Sequence, residues 1–409
     1  MTLELPSDPN ASRGPLAGYR VVDLTRVLLG PFAAQMLGDM GAEVIKVEDP
    51  EGDISRKIGH IRNPGMSAIY LNCNRNKKSV CLDLKTADGK QAMDKLLASA
   101  DLFIHALRPQ AARKLGLGYE DVQKLNPNIV YIGAYGYSEQ GPSGHKTAFD
   151  DMIQGASGGA AIQGWMDDTP SYVSFVQADK TTGMMAANAA LAGLLHRERT
   201  GEGQFIEVPM FETMTMFNMV EHLDGATFAE QDGPFCYSRL MTRNRRPFKS
   251  KDGWVGLLPY SDKNWKAVFE AAGHPELMDD ERFNTFEIRQ GNIDRTYEKL
   301  AELALLLTTD EWLTAMDAAS VPCTRINTPA DLLADPHLND VGFWQQYDHP
   351  KEGRLRTMAF PVNFSRSPAE IRRHAPDQGE QTREVLQGLG YTDEQITEML
   401  RAGAAIEPS

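Results

Sequence analysis

Two hydrophobic rhythms alternate over residues 20–48. Val21–Leu24 is a largely apolar run of strand length, and Val44–Val47 is a second, closed by Glu48. Between them Gly30, Ala34, Leu37 and Gly41 recur at three- to four-residue steps, the spacing of a helix with one packed face. Strand, loop, helix and strand in this register make a βαβ unit of the dinucleotide-binding kind. Gly30 stands where the third fingerprint glycine falls, kept there for helix packing. The first two fingerprint glycines are absent, with Thr25 and Val27 in their places. Those glycines let the backbone turn tightly and approach a pyrophosphate. The pattern therefore keeps the sheet signal and loses the dinucleotide signal.

The alternation continues along the chain. It predicts a helix over Lys90–Ala98, strands over Leu102–His105 and Ile129–Ala134, a small-residue helix over Gly183–Arg199 and a strand over Gln204–Val208. Met210–Leu223, rich in Met and Phe, reads as a mostly buried helix. Strands and helices in turn point to a parallel, doubly wound sheet. Near residue 225 the pattern changes: a strand over Trp254–Leu258 is followed by helices over Asn264–Ala272 and Ile293–Leu307. Thr308 with Glu311 forms a capping box for a further helix, and Thr392 with Gln395 caps a final one. The division expected is an N-terminal arm over 1–17, a large Rossmann-like domain over 18–225, a smaller α+β domain over 226–335, and a C-terminal segment over 336–409 that returns to the large domain. The stretch 335–365 reads as extended and proline-punctuated.

Composition narrows the class. The 409 residues are 42% hydrophobic and 24% charged, with a net charge of −14. That balance suits a globular protein and opposes a general nucleic-acid or anionic-membrane binder. An anionic ligand would need a local basic pocket. The four cysteines, Cys73, Cys81, Cys236 and Cys323, are scattered, and the nine histidines show no metal-ligand spacing. No apolar signal core and no run of about 18 apolar residues occurs, so a cytoplasmic protein with no membrane or nucleic-acid partner is expected. There is neither a P-loop nor a GxSxG elbow.

Several residues could carry chemistry. Asp179 lies between an apolar extended run and the small-residue helix. A carboxylate there feels the helix dipole and free backbone N–H groups, which favour its ionised form and suit a nucleophile at neutral pH. The same position also suits a plain N-cap. Asp150 and Asp151 follow a glycine-rich stretch and could orient a neighbour, bind substrate or cap a helix. Gly155, Gly158 and Gly159 could free backbone amides for an oxyanion or merely turn the chain. Three basic groups stand out: Arg75 with Lys77 and Lys78, then Arg108, then Arg113 with Lys114. If they converged they would suit a phosphate. The run Arg243, Arg245, Arg246, Lys249 and Lys251 could meet a carboxylate substrate or a subunit interface, or be solvated.

Taken together, the segments VVDLTRVLLGPFAAQMLGDMGAEVIKVEDPEGD, NKKSVCLDLKTADGK, ADLFIHALRPQAARKLGLGYEDVQKLNPNIVY, AFDDMIQGASGG, ADKTTGMM and LLHRERTGEGQFIEVPM resemble the class III CoA-transferases, the family of formyl-CoA transferase and crotonobetainyl-CoA:carnitine CoA-transferase. The resemblance covers most of residues 17–215 and returns near the C-terminus. It implies a ping-pong acyl-CoA:carboxylate CoA-transferase in which Asp179 is the covalent nucleophile, passing through a mixed anhydride and an aspartyl-CoA thioester. It places Asp150 close to that nucleophile. Leu82, Asp83, Leu84 and Lys85 match a stretch that lines the CoA site. Arg108 and Lys114 match CoA-contacting positions, the second commonly arginine in relatives. Leu28 and Leu29 match the loop beside the pantetheine. The implied assembly is an interlocked homodimer of Rossmann-like and α+β domains, with CoA as part of the substrates, no other cofactor and no metal.

Some positions depart from the family pattern. Formyl-CoA transferase has glutamine where this chain has Leu28, and its glycine loop has no clear counterpart in 226–265. Both shift the expected acid away from formate and oxalate, toward a larger or differently held acyl group; a short dicarboxylate such as succinate, mesaconate or itaconate would suit the basic run at 243–251. Related α-methylacyl-CoA racemases carry a histidine where Phe149 stands, so an alternative racemase lacks its imidazole here. A nicotinamide-dependent oxidoreductase lacks its glycines. A non-catalytic CoA-binding scaffold would not need Asp179.

Overall fold

The computed structural model describes residues 3–6, 8 and 11–408; part of the expected N-terminal arm lies outside them. The chain groups into two units. The first comprises Met1–Ala160, Tyr172–Phe217 and His337–Ser409, and the second Ala161–Ser171 with Asn218–Pro336.

The first unit is built on a seven-stranded sheet. Six of its strands are β1 (Arg20–Leu24), β2 (Glu43–Glu48), β3 (Lys77–Leu82), β4 (Leu102–His105), β5 (Val130–Tyr135) and β6 (Gln204–Pro209), and the seventh is a short edge strand near the C-terminus. The spatial order is β3-β2-β1-β4-β5-β6, all parallel. This is the doubly wound order of a Rossmann-type sheet, whose direction of winding reverses between β1 and β4. Every residue of β3, β4 and β5 is buried, as expected of a parallel sheet covered on both faces. Alternate side chains feed two cores. Val22, Phe103 and Tyr131 face one way, against Met93, Leu96, Leu386 and Ile396. Val21, Leu102 and Val130 face the other, against Ala34, Leu37, Ala186 and Ala190.

The small-residue helix runs over Ala178–Thr200, and the structure shows why its residues are small. A Cβ on Gly193 would lie 2.6 Å from Val130 Cγ1, and one on Gly183 would lie 2.7 Å from the Leu29 carbonyl oxygen. The helix at Met210–His222 departs from the expectation of near-complete burial. Met210 and Met214 reach the core, whereas Met216, Phe217 and Val220 are exposed, Val220 to 80%. Its apolar residues spread over more of its circumference than one packed face can cover.

Four strands of the first unit escaped the hydrophobic pattern. In β3, Lys77 and Lys78 break the apolar signal of what is in fact a fully buried strand. Within the extended 335–365 stretch, Trp344–His349 and Gly353–Met358 pair as an antiparallel hairpin. Near the C-terminus, Ala405–Ile406 adds a short antiparallel edge strand to β3.

The second unit sets a three-stranded antiparallel sheet, Phe248–Lys249, Trp254–Leu257 and Cys323–Arg325, against helices at Asp262–Ala271, Ile293–Ala304 and Thr309–Ala318. Trp265, Phe269, Leu300, Trp312 and Met316 fill the space between. The Thr308–Glu311 capping box forms, as does the one at Thr392–Gln395 in the first unit. Among the described residues no helix is long and apolar enough to cross a membrane, and no group of side chains is arranged to hold a metal ion.

Candidate active site

The loop after β1 explains how the sheet manages without its fingerprint glycines. Val27 adopts φ +69°, a left-handed conformation that glycine would take without strain. Its backbone N–H is held by Asp53 Oδ1 at 3.0 Å. Lys46 Nζ, from β2, donates to both the Thr25 carbonyl and Asp53 Oδ2 at 2.8 Å. Burial works against the Asp53 carboxylate, but Lys46 and these N–H donors hold it at about 2. Gly30 serves a different purpose from helix packing. A Cβ there would fall 2.3 Å from the Thr25 side chain. Thr25 fills that space and donates its hydroxyl to Asp23 Oδ1 at 2.5 Å. The loop is thus pinned by side chains, where a dinucleotide site leaves backbone bare.

The first basic group does not gather at a ligand. Arg75 is buried against Asp39 at 2.6 Å and Lys77 against Asp23 at 2.9 Å, while Lys78 bridges Glu43 and Glu384. Cations on a strand buried on both faces need paired acids, because an unpaired buried charge is far too costly.

The remaining expected CoA residues mostly gather at the carboxyl ends of the strands. Leu82, Asp83, Leu84 and Lys85 line a cavity of about 460 Å³, together with Arg26 and Gly52 from the loops after β1 and β2. Leu107 and Leu115, flanking the helix Pro109–Lys114, border the same cavity. Arg108, Arg113 and Lys114 from that segment line a neighbouring cavity of about 390 Å³, where Arg113 pairs with Glu139 at 3.0 Å. Open α/β sheets bind ligands outside the carboxyl ends of their strands at the winding reversal, where the first of these cavities lies. Leu28 and Leu29 are not among its lining residues. Leu28 is half-buried at the start of the helix Leu29–Asp39, and Leu29 packs with Ala134, Ile153 and Ala178.

Ala178 leads directly to Asp179, the second residue of its helix. The N-cap position is Gln177, whose side chain makes no cap, so Asp179 is not an N-cap. That task falls to Asp150, whose Oδ1 accepts the Asp179 backbone N–H at 2.9 Å. Asp150 Oδ2 accepts from Gln154 Nε2 at 2.6 Å, and Gln154 Oε1 accepts from the Val173 N–H at 3.1 Å. Gln154 is buried and ties the strap before Asp179 to the helix Asp150–Ala156. Asp151, by contrast, is exposed, and so is Phe149. Gly158, with φ +84°, is a turn residue.

The electrostatics reverse the expectation of a strongly ionised Asp179. Burial first, and the Asp150 carboxylate second, push its carboxyl up from 3.8 to about 7. The helix terminus favours the anion, but desolvation and a like charge outweigh it. A half-buried carboxyl raised toward neutrality beside a second carboxyl suits covalent or acid–base chemistry. Asp150 and Gln154 gave no local sequence signal that separated them from Asp151 and ordinary helix polar residues; only the tertiary contact does.

In the second unit, Arg243 pairs with Asp168 at 3.2 Å, whereas Arg245 and Arg246 line a cavity.

Comparison with known proteins identifies the family. The profile of CoA-transferase family III matches residues 16–382. Succinyl-CoA:glutarate CoA-transferase of Mus musculus is 32% identical over 406 residues, spanning 98% of this chain and 92% of the relative. Formyl-CoA:oxalate CoA-transferase of Escherichia coli O6:H1 is 30% identical over 411 residues, spanning 94% of this chain and 98% of the relative. A CAIB/BAIF family protein from Brucella suis superposes with a TM-score of 0.79 at 30% identity, covering 92% of this chain and 99% of that one. Rv3272 from M. tuberculosis gives 0.78 at 28%, covering 91% and 99%. The chain belongs to CoA-transferase family III and is a CoA-transferase.

Proposed function

We propose that the protein moves CoA between carboxylic acids by a ping-pong route on Asp179. The observation that carries this reading is Asp179 itself, half-buried at the start of its helix with its N–H on Asp150 Oδ1 at 2.9 Å and its carboxyl raised to about 7 beside that second carboxylate. An Asp179 oxygen attacks the acyl-CoA thioester carbon, the C–S bond breaks, and CoA thiolate leaves a mixed anhydride. The thiolate then attacks the aspartyl carbonyl, releasing the donor acid and leaving an aspartyl-CoA thioester. An acceptor carboxylate runs both steps in reverse, so no net proton is consumed. The raised pKa serves this chemistry directly. A poorly solvated carboxylate is a reactive nucleophile, and acylation removes the charge that burial and Asp150 disfavour. The same environment that favours protonation of Asp179 therefore favours its acylation.

CoA enters and leaves as substrate, with no further cofactor. Leu82, Asp83, Leu84 and Lys85 would hold it at the strand ends. Arg108 and Lys114, exposed at the neighbouring cavity, would meet its phosphates, and Leu28 and Leu29 would stand beside the pantetheine arm. A short dicarboxylate is the acid that the 32% identity to succinyl-CoA:glutarate CoA-transferase supports. We place the enzyme in the cytoplasm, consistent with its free cysteines, as an interlocked homodimer. The exposed Met216, Phe217 and Val220 are apolar surface of the kind a partner subunit covers.

The test is to incubate the protein with succinyl-CoA, cleave with hydroxylamine and locate the modified residue by mass. The label is expected on Asp179, and Asp179→Ala is expected to abolish transfer while still binding CoA. Labelling elsewhere, or turnover by the variant, would refute the assignment.

A further inference from the structure

The second unit carries a cation-lined cavity that the chemistry at Asp179 leaves without a role. Its rim is the basic run, which three side chains staple to the helix Ile293–Ala304. Thr242 Oγ1 donates to the Asp294 carboxylate. Asn244 Nδ2 reaches the Asp294 carbonyl at 3.4 Å and Glu298 Oε1 at 3.3 Å, and Arg239 Nε donates to the Tyr297 hydroxyl at 3.3 Å. Just beyond, Phe248 packs against Tyr297 with ring centres 6.2 Å apart. With these anchors fixed, Arg245 and Arg246 project as exposed side chains and join Arg239 around a cavity of about 590 Å³.

No aspartate or glutamate lines this cavity, and among the described residues neither Arg245 nor Arg246 forms an ion pair. Arg243, by contrast, pairs with Asp168, and Asp294 and Glu298 are taken up by Thr242 and Asn244. The floor is apolar, from Phe248 and Leu257. Gly256 keeps that floor low, since a Cβ there would press to 3.1 Å on Thr324 Cγ2. In a chain of net charge −14, guanidinium groups gathered around a cavity whose lining holds no carboxylate form a field that attracts anions. Their forked donors match carboxylate and phosphate oxygens in pairs.

We propose that this cavity binds a small doubly charged anion, a dicarboxylate or a phosphate ester, with the ligand's apolar part against the Phe248–Leu257 floor. The inference stands on the second unit alone and does not depend on the role of Asp179.

The experiment is arginine modification of the full-length protein by phenylglyoxal, followed by peptide mass mapping, with the exposed Arg401 as internal reference. It is run in wild type and in Asp179→Ala, which cannot turn over by the proposed route, with glutarate in one arm and adenosine 3′,5′-bisphosphate in the other. By mass action, a saturating ligand should slow adduct formation at Arg245 and Arg246 by about fivefold or more, with Arg401 unchanged. Protection by glutarate alone identifies a carboxylate site, and protection by the nucleotide alone a phosphate site. In Arg246→Gln, protection of Arg245 should largely disappear. No protection by either anion, or undiminished protection in Arg246→Gln, overturns the proposal. Because the protection is read in Asp179→Ala as well, failure of the covalent mechanism would leave it unaffected.

Discussion

Replacing Asp179 by asparagine should make the protein more stable, and only at high enough pH. The folded state holds the Asp179 proton more tightly than the unfolded chain does, with the carboxyl at about 7 against 3.8. Below about pH 4 the group is protonated in both states and contributes nothing. Between about pH 4 and 7 the native state binds more protons than the unfolded one, so this group's contribution to stability falls as pH rises. Above about pH 7 the penalty is complete. At about 1.4 kcal/mol per pKa unit its ceiling is roughly 4 kcal/mol. The side chain keeps some exposure, and water screens part of the cost, so about 2 kcal/mol is the expected size. Asparagine keeps the shape and the backbone N–H to Asp150 and removes the charge. Urea unfolding of wild type and Asp179→Asn at pH 5, 6, 7 and 8 reads the difference directly. The variant should gain about 2 kcal/mol at pH 8, with the gap closing toward pH 5. A gap that does not change with pH, or a variant less stable at pH 8, would show that burial and Asp150 do not disfavour the Asp179 anion.

Other consequences are open to measurement. Because the nucleophile must be ionised, kcat/KM should rise with pH and level off with an apparent pKa near 7; a flat profile from pH 5 to 8 would exclude Asp179 as the titrating nucleophile. Gln154→Ala strands Asp150 Oδ2 and the Val173 N–H, and should cost about 1–3 kcal/mol and lower kcat far more than it weakens CoA binding. A uniform loss of CoA affinity with kcat intact would contradict that positioning role. Gly30→Ala should destabilise by about 1–3 kcal/mol, since Thr25 is tied to Asp23 and cannot retreat. Adding Thr25→Gly should restore most of the loss, and a double variant no better than Gly30→Ala would refute this steric account.

The legible parts of the sequence were those where one local rule operates. The strand Leu102–His105 and the capping boxes at Thr308 and Thr392 are written in neighbouring residues. The failures share a cause: a side chain's meaning was set by a partner far along the chain. Lys77 looked like a phosphate ligand because Asp23, its buried counter-ion, lies 54 positions away. Asp179 looked like a cap because the real cap, Asp150, comes from a different helix. Thr25 and Val27 looked like damage to a glycine motif, yet Asp53 and Lys46 hold that turn in the conformation glycine would otherwise supply. The Met210–His222 helix looked buried because composition reports apolarity without saying what covers it.

The edge strand at Ala405–Ile406 sets an order of events during synthesis. The wall of the strand-end cavity at Leu82–Lys85 continues from β3, whose outer side is closed by residues about 300 positions further on: the Gln381 N–H on the Ser79 carbonyl, Ala405 opposite Leu82, and the Asp83 N–H on the Ala404 carbonyl. At about 5–20 residues per second, a ribosome needs on the order of tens of seconds between making these two halves. Until residues 381–406 have emerged, β3 is an open edge, and the proposed CoA site lacks its outer support. The proposed CoA site therefore reaches its final form only after residues 404–406 have been made. A nascent chain or a product truncated before Ala404 would carry Asp179 without a finished place for the thioester.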